Sequence, residues 1–89
     1  MLLDNPHGSQ EMYERLRALI ELDRPAGGIF HLAGPGPDGG WRVLEVWESE
    51  EDAHRFFEEH VLPAAEAMGA PLPPAPQLWR IHNCMGVTP

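Results

Sequence analysis

The stretch that most constrains the fold is 41–49, with the sequence Trp-Arg-Val-Leu-Glu-Val-Trp-Glu-Ser. In a β-strand, successive side chains point to opposite faces of the sheet. One face of this strand therefore carries Trp41, Val43, Glu45 and Trp47, and the other carries Arg42, Leu44 and Val46. Neither set is purely polar, so we expect both faces to be covered. Leu44 and Val46 suit a layer of helices, whereas two tryptophans flanking a glutamate suit a pocket or a partner subunit.

The size and charge of the chain limit what it can be. Its 89 residues predict one domain spanning 1–89, small enough to gain stability from oligomerisation. The formal net charge of −8 argues against nucleic acid and anionic membranes as main partners. Cys84 is the only cysteine, which rules out an internal disulfide and favours a reducing compartment. Because no signal-peptide pattern and no apolar run of ~18 residues is present, we expect a cytoplasmic protein.

Apolar periodicity and turn residues divide the rest of the chain into elements. The predicted order is a short strand Met1–Leu3, a helix capped by Ser9 and ending before Pro25, a strand Ile29–Ala33, the central strand, a helix from Ser49 to Gly69 and a strand Leu78–Met85. Pro63 predicts a kink or break in the second helix. The glycine-rich run 34–40 predicts a hairpin loop rather than a phosphate loop, because a strand follows it instead of a helix.

This order of elements predicts a ferredoxin-like βαββαβ fold. With right-handed crossovers, it forms a four-stranded antiparallel sheet with both helices on one face. The other face would carry Trp41, Val43 and Trp47, which is more apolar area than a protein leaves in water. Two such sheets packed face to face would bury it, so we expect a homodimer.

The chain resembles a known superfamily in three places. They are the run Gly39 to Ser49, the acidic helix that follows it with Phe56 and Phe57, and the segment Ile81-His82-Asn83. These residues are similar to small bacterial proteins of the dimeric α+β barrel superfamily, which includes antibiotic-biosynthesis monooxygenase-like proteins. The resemblance implies a homodimer whose sheets form a barrel around the pocket. Relatives include cofactor-independent oxygenases of polyketide quinol precursors, haem-degrading and haem-using enzymes, lactone isomerases and cyclases.

The resemblance also implies site residues. Oxygenase relatives place Asn, Trp and His in the pocket. Trp47 lies at the matching strand end, and Asn5, near the end of the first strand, is a counterpart for the asparagine. Haem-handling relatives use a helix histidine as iron ligand, which makes His60 the candidate here. The alternative is that His60 is a hydrogen-bonded core histidine beside Phe56.

Three residues have the chemistry for proton transfer. His31 and Glu45 lie on neighbouring predicted strands, and His82 could join them from the last strand. A carboxylate can fix the tautomer of an imidazole and raise its basicity, so this group could take a proton from an acidic phenol or from a carbon next to a carbonyl. The alternative is a structural ion pair between Glu45 and Arg80 at the dimer interface, with the histidines as satisfied polar residues.

The sequence thus predicts a small-molecule-binding homodimer, either a cofactor-independent monooxygenase or an isomerase or cyclase acting on an aromatic or polyketide-like substrate. His31 would be the base and Glu45 its orienting partner. The predicted pocket walls are Trp41, Val43 and Trp47, with His82 and Asn83 as donors to an oxyanion. The histidines lack the spacing of metal ligands, so no metal is expected. The alternative is a non-catalytic dimer for ligand binding or interaction. A cavity below ~100 Å³ beside Trp47 would favour it, since ligand pockets usually measure ~300 Å³ or more.

Overall fold

The computed structural model describes residues 1–20, 25–83 and 85. The elements are β1 (Leu2–Asn5), α1 (Gln10–Ile20), β2 (Gly28–Pro35), β3 (Trp41–Trp47), α2 (Glu50–Phe56), a π-helical turn (Phe57–Val61) and α3 (Leu62–Ala67). The last three are continuous and are called the second helix. The predicted order of elements is confirmed up to the end of α3. Cys84, the end of the first helix in 21–24 and residues 86–89 lie outside the described residues.

Both helices begin where the sequence predicts, because a serine caps each. The Ser9 hydroxyl accepts a hydrogen bond from the Met12 backbone N–H at 3.2 Å, and the Ser49 hydroxyl accepts one from the Asp52 N–H at 3.1 Å. Each bond satisfies one of the amide groups that have no partner in the first turn of a helix. No helix in the described ranges is both long and apolar enough to cross a membrane.

Pro63 predicts a kink or a break in the second helix, and the helix does not break there. The helix instead widens in the π-helical turn just before the proline, where the Leu62 N–H donates to the Phe57 carbonyl. A proline in a regular α-helix removes one hydrogen bond and its ring collides with the carbonyl four residues earlier. A widened turn accommodates one misfit residue while the helix continues.

The described sheet has three antiparallel strands in the order β1-β3-β2. β3 is central, with Leu44 opposite Leu2 on one side and Leu32 on the other. The predicted hairpin joins β2 to β3. At its end Gly40 has φ +73°, and a Cβ there would lie 2.6 Å from the Asn5 carbonyl oxygen, so only glycine fits.

The predicted fourth strand, Leu78–Met85, is not part of the described sheet. In the described part of the chain after α3, only Gln77 pairs with β1, exchanging two backbone hydrogen bonds with Leu2. This bridge is antiparallel, so the residues after Gln77 run past the start of β1. There Met1 is already hydrogen-bonded to Glu45 through its N and O atoms. A four-stranded ferredoxin-like sheet is therefore not confirmed, and the fold is a small α+β domain. Residues 78–83 are called the C-terminal arm.

The prediction of which sheet face the helices cover is wrong. The helices cover the face with the tryptophans: Trp41 contacts Tyr13 of α1, and Trp47 contacts Phe56 of α2, with ring centroids 5.5 and 5.1 Å apart. Leu44 and Val46 lie on the uncovered face, called the open face. Alternation along a strand determines which residues share a face, but not which face meets the helices. The predicted chamber walled by indoles between two subunits therefore does not exist in this form.

The core lies between the sheet and the second helix. Its centre is Phe56, Phe57 and Val61, with partly buried apolar side chains around it: Leu3, Leu16, Ile20, Trp47 and Leu62. These side chains come from β1, α1, β3 and the second helix. The core therefore fixes the helices over the tryptophan-bearing face of β3.

Candidate functional site

The centre of the site is Glu45, a carboxylate that is only 5% exposed at the middle of β3. One of its oxygens accepts a hydrogen bond from the indole N–H of Trp47 at 3.2 Å, and the other lies 2.8 Å from Nδ1 of His31. His31 is directly opposite Glu45 in the β2–β3 register, which brings side chains on one face together. Burying a carboxylate is costly unless it is paired, and both oxygens are paired here.

The predicted contact between His31 and Glu45 is thus present, although its catalytic role stays a prediction. The alternative ion pair between Glu45 and Arg80 does not form within the described chain, and its formation across a dimer interface stays a prediction. Arg80 lies exposed on the C-terminal arm, and among the described residues Glu45 forms its ion pair with His31.

Sequence reasoning missed Tyr13, which completes the group. Its hydroxyl lies 2.5 Å from Nε2 of His31, and its ring lies between those of His31 and Trp41. A signal existed in the sequence. Tyr13 is the only tyrosine, and it lies three and seven residues before Leu16 and Ile20, on the same side of α1 as these core residues.

The hydrogen-bond partners define the protonation of this chain of groups. A neutral His31 with its proton on Nδ1 donates to Glu45 and accepts the Tyr13 O–H at Nε2, and this arrangement satisfies every polar atom. Burial, above all, raises the pKa of the Tyr13 phenol. The negative charges of Glu14 and Glu45 act in the same direction, while Arg17 opposes them. Tyr13 is therefore a neutral phenol at physiological pH.

Two spaces lie on either side of the hydrogen-bonded pair Tyr13–His31. An apolar inner cavity of about 90 Å³ is lined by side chains of both helices and the sheet, among them Asn5, Met12, Tyr13, Trp41 and Val43. A second space, called the His31 cleft, measures about 420 Å³ and is lined by Arg17, His31, Glu45, Trp47 and Phe56, among others. Ligand pockets usually measure ~300 Å³ or more, so the His31 cleft is large enough for a small molecule and the inner cavity alone is not.

Some of the other predicted pocket residues line one of these two spaces, and the rest lie on the surface. Trp47 lines the His31 cleft, whereas Trp41 and Val43 line the inner cavity. Asn5 also lines the inner cavity, but its side-chain oxygen accepts a hydrogen bond from the His7 N–H at 3.1 Å and stabilises a turn.

His82 and Asn83 are not brought to His31. Both are exposed on the C-terminal arm, where they line a separate open space beside Leu44 and Val46. The predicted His-Glu-His group is therefore a Tyr-His-Glu group, with Tyr13 in the place expected for His82.

The structure gives no support for haem at His60. Its ring packs against Phe56 at a centroid distance of 5.4 Å, and it lines neither the inner cavity nor the His31 cleft. Within the described part of the chain, no group of three or more His, Cys, Asp or Glu side chains is arranged to hold a metal ion.

Comparison of the whole chain with protein families, with curated proteins and with solved structures found no match.

Proposed function

We propose that this chain is a homodimeric, small-molecule-binding protein of the dimeric α+β barrel type. It would act on an aromatic or polyketide-like substrate by cofactor-independent oxygenation, or by isomerisation or cyclisation. The observation that carries this proposal is the hydrogen-bonded chain Tyr13–His31–Glu45 at the wall of a cleft large enough for a ligand.

The cleft supplies what proton abstraction requires. His31 is the base, and the buried Glu45 carboxylate holds the imidazole in one tautomer and stabilises the imidazolium that forms. Trp47 and Phe56 provide an aromatic wall for an apolar ring. Arg17 lines the same cleft, where its positive charge stabilises an oxyanion developing on the substrate.

The open face supports the dimer. It carries Phe30 and Leu32, each 55% exposed, while Trp79 on the C-terminal arm is 57% exposed. The chain exposes 6535 Å². A folded monomer of its mass exposes about 5,200 Å², so the excess is about 1,300 Å². A stable dimer buries about 800 Å² per partner, so a second copy on this face would cover about 800 Å² of this excess. The mass in solution, measured by light scattering, tests this step.

Activity is tested with a panel of phenols, enolisable ketones and lactones, incubated in air and under nitrogen. We expect turnover of at least one class, and oxygen uptake separates oxygenation from isomerisation or cyclisation. His31→Gln should abolish turnover and leave the dimer intact. The matched control is His54→Gln, an exposed histidine on α2. Unchanged turnover in His31→Gln would remove His31 from the mechanism.

One observation favours a second candidate, a non-catalytic ligand-binding dimer. Both nitrogens of His31 and both oxygens of Glu45 already have partners within the chain, as in a purely structural network. This candidate predicts ligand binding without turnover, and an affinity that survives His31→Gln.

Haem is tested separately, because the resemblance includes haem proteins. Addition of haem should produce no Soret shift that His60→Ala removes. A shift lost in that variant would replace the cofactor-independent proposal.

A further inference from the structure

The geometry points to Tyr13 as an internal ligand that a substrate can displace. Its hydroxyl occupies the position on His31 that the hydroxyl of a phenolic or enolic substrate would take. This inference rests on the proposed function, because it concerns the same cleft. It adds a substrate class and a means of regulating access to the base.

The first argument is that the proposed base, His31, already has a hydrogen-bond partner at its free nitrogen. Nε2 of His31 is the only ring nitrogen that does not face Glu45, and the Tyr13 hydroxyl lies on it at 2.5 Å. A substrate cannot give a proton to Nε2 while this hydrogen bond is present. The site therefore contains a phenol bound to its own base, and a second phenol fits the same position once Tyr13 has moved.

The second argument is where the ring lies. Tyr13 lines the inner cavity but not the His31 cleft, and His31 lines the cleft but not the inner cavity. The contacting pair Tyr13–His31 thus lies between the two spaces, with Tyr13 on the side of the cavity and of Trp41. Movement of the Tyr13 side chain would open Nε2 of His31 to the apolar cavity and place a substrate ring against Trp41.

The third argument is an indole N–H that lacks a partner. Nε1 of Trp41 is buried and has no acceptor among the described residues. Such a group costs stability, and an acceptor on an incoming ligand would satisfy it. A ring that bears a hydroxyl for His31 and a second oxygen for Trp41 has the chemistry to use both groups.

Proton balance explains why an acidic substrate can replace Tyr13. Tyr13 keeps its proton because burial raises the pKa of its phenol. A more acidic phenol or enol gives its O–H proton to Nε2 of His31. The products are an imidazolium paired with the Glu45 carboxylate and a substrate oxyanion, with no electron transferred.

The test uses 4-nitrophenol as a probe, because its absorbance distinguishes the phenol from the phenolate. Equilibrium titrations compare the wild-type chain with Tyr13→Phe, which keeps the ring and removes the hydroxyl. We expect Tyr13→Phe to bind the probe about tenfold more tightly, since the competing hydrogen bond is gone. The bound probe should be phenolate, and His31→Gln should abolish this shift, while His54→Gln should not.

A second readout follows the tyrosine itself. Because Tyr13 is the only tyrosine, its ultraviolet titration reports on this residue alone. In the wild type, saturation with the probe should lower the pKa of Tyr13 towards that of a free tyrosine, as the side chain leaves the interior.

Each result has a defined meaning. Equal or weaker binding in Tyr13→Phe overturns the inference and leaves the proposed function standing, because Tyr13 would then be part of the ligand site. Binding that His31→Gln does not change, or the absence of binding in every variant, counts against the proposed function as well.

Discussion

The two faces of the sheet differ in what covers them, although alternate residues of one strand, β3, supply both. On the helix-covered face, Glu45 is 5% exposed and hydrogen-bonded through both oxygens. On the open face, Phe30 and Leu32 are each 55% exposed. The covered face combines polar groups with aromatic rings, whereas the middle of the open face is apolar. The difference teaches that the hydrogen-bonded group Tyr13–His31–Glu45 and the apolar surface on which we propose association lie on opposite sides of one sheet.

The burial of the Glu45 carboxylate explains this division, although the side chain of its partner His31 is 35% exposed. A hydrogen bond between an acid and a base is stronger where water is excluded, and a polar group without a partner costs more free energy there. An apolar face needs no hydrogen-bond partners, and it is stabilised most when another protein surface covers it and removes it from water. Four predictions test the contrast, from the largest expected effect to the smallest.

The first prediction compares two phenylalanines: Phe56 of α2, which packs on the helix-covered face, and Phe30 of β2, which lies on the open face. Phe56→Ala should lower the free energy of unfolding by about 3–5 kcal/mol, because it removes the ring that packs against Trp47 and His60. Phe30→Ala should lower it by no more than ~1 kcal/mol in dilute solution, where the proposed dimer would be dissociated. Urea unfolding measures both. Equal losses would contradict the contrast between the faces.

The second concerns the buried carboxylate. Glu45→Gln should destabilise the chain by about 1–3 kcal/mol, because an amide cannot accept from His31 and Trp47 as a carboxylate does. The control is Glu48→Gln, an exposed residue three positions along the chain, which should change stability by no more than ~0.5 kcal/mol. If both variants unfold at the same urea concentration, the network does not stabilise the fold.

The third concerns association. Leu32→Glu should raise the dissociation constant of the dimer at least about tenfold, or ~1.4 kcal/mol, by placing a charge in the centre of the open face. Leu19→Glu is the matched control, since Leu19 on α1 is 51% exposed. Light scattering over a dilution series measures both. A dimer that Leu32→Glu leaves unchanged must form elsewhere.

The fourth concerns the protonation of Tyr13 on the covered face. The pKa of its phenol is raised in the folded chain, so its contribution to stability is fully present below the ordinary tyrosine pKa of about 10. This contribution is lost as the pH rises from there through the raised value. The tyrosinate absorbance should therefore appear at higher pH in the folded than in the urea-unfolded chain. Arg17→Gln should move it higher still, because the guanidinium lowers this pKa. A folded chain that titrates like free tyrosine would place Tyr13 in solvent.

Local features of the site were predictable, but its completion was not. Alternation along β3 placed Glu45 beside the tryptophans, and the hairpin brought His31 opposite it, because strand pairing follows from turn position. Tyr13 was missed because its contact with His31 joins residues 18 positions apart on a helix and a strand. Its position depends on how α1 lies over the sheet, which periodicity on α1 alone does not specify. His82 was expected at the site because the last strand was assumed to pair, and the described sheet ends instead at the Gln77 bridge.

By itself, the sequence determined the elements up to the end of α3, the caps of both helices, the hairpin and which side chains share a side of each strand, because these depend on interactions between residues close in the chain. Only the tertiary structure decided which side of β3 the helices cover, and with it the place of the site. Judged by the apolar pattern alone, Leu44 and Val46 could have packed against the helices as well as Trp41 and Trp47. The aromatic rings of Tyr13 and Phe56 complement the indoles in shape, and such complementarity appears only when the helices pack on the sheet.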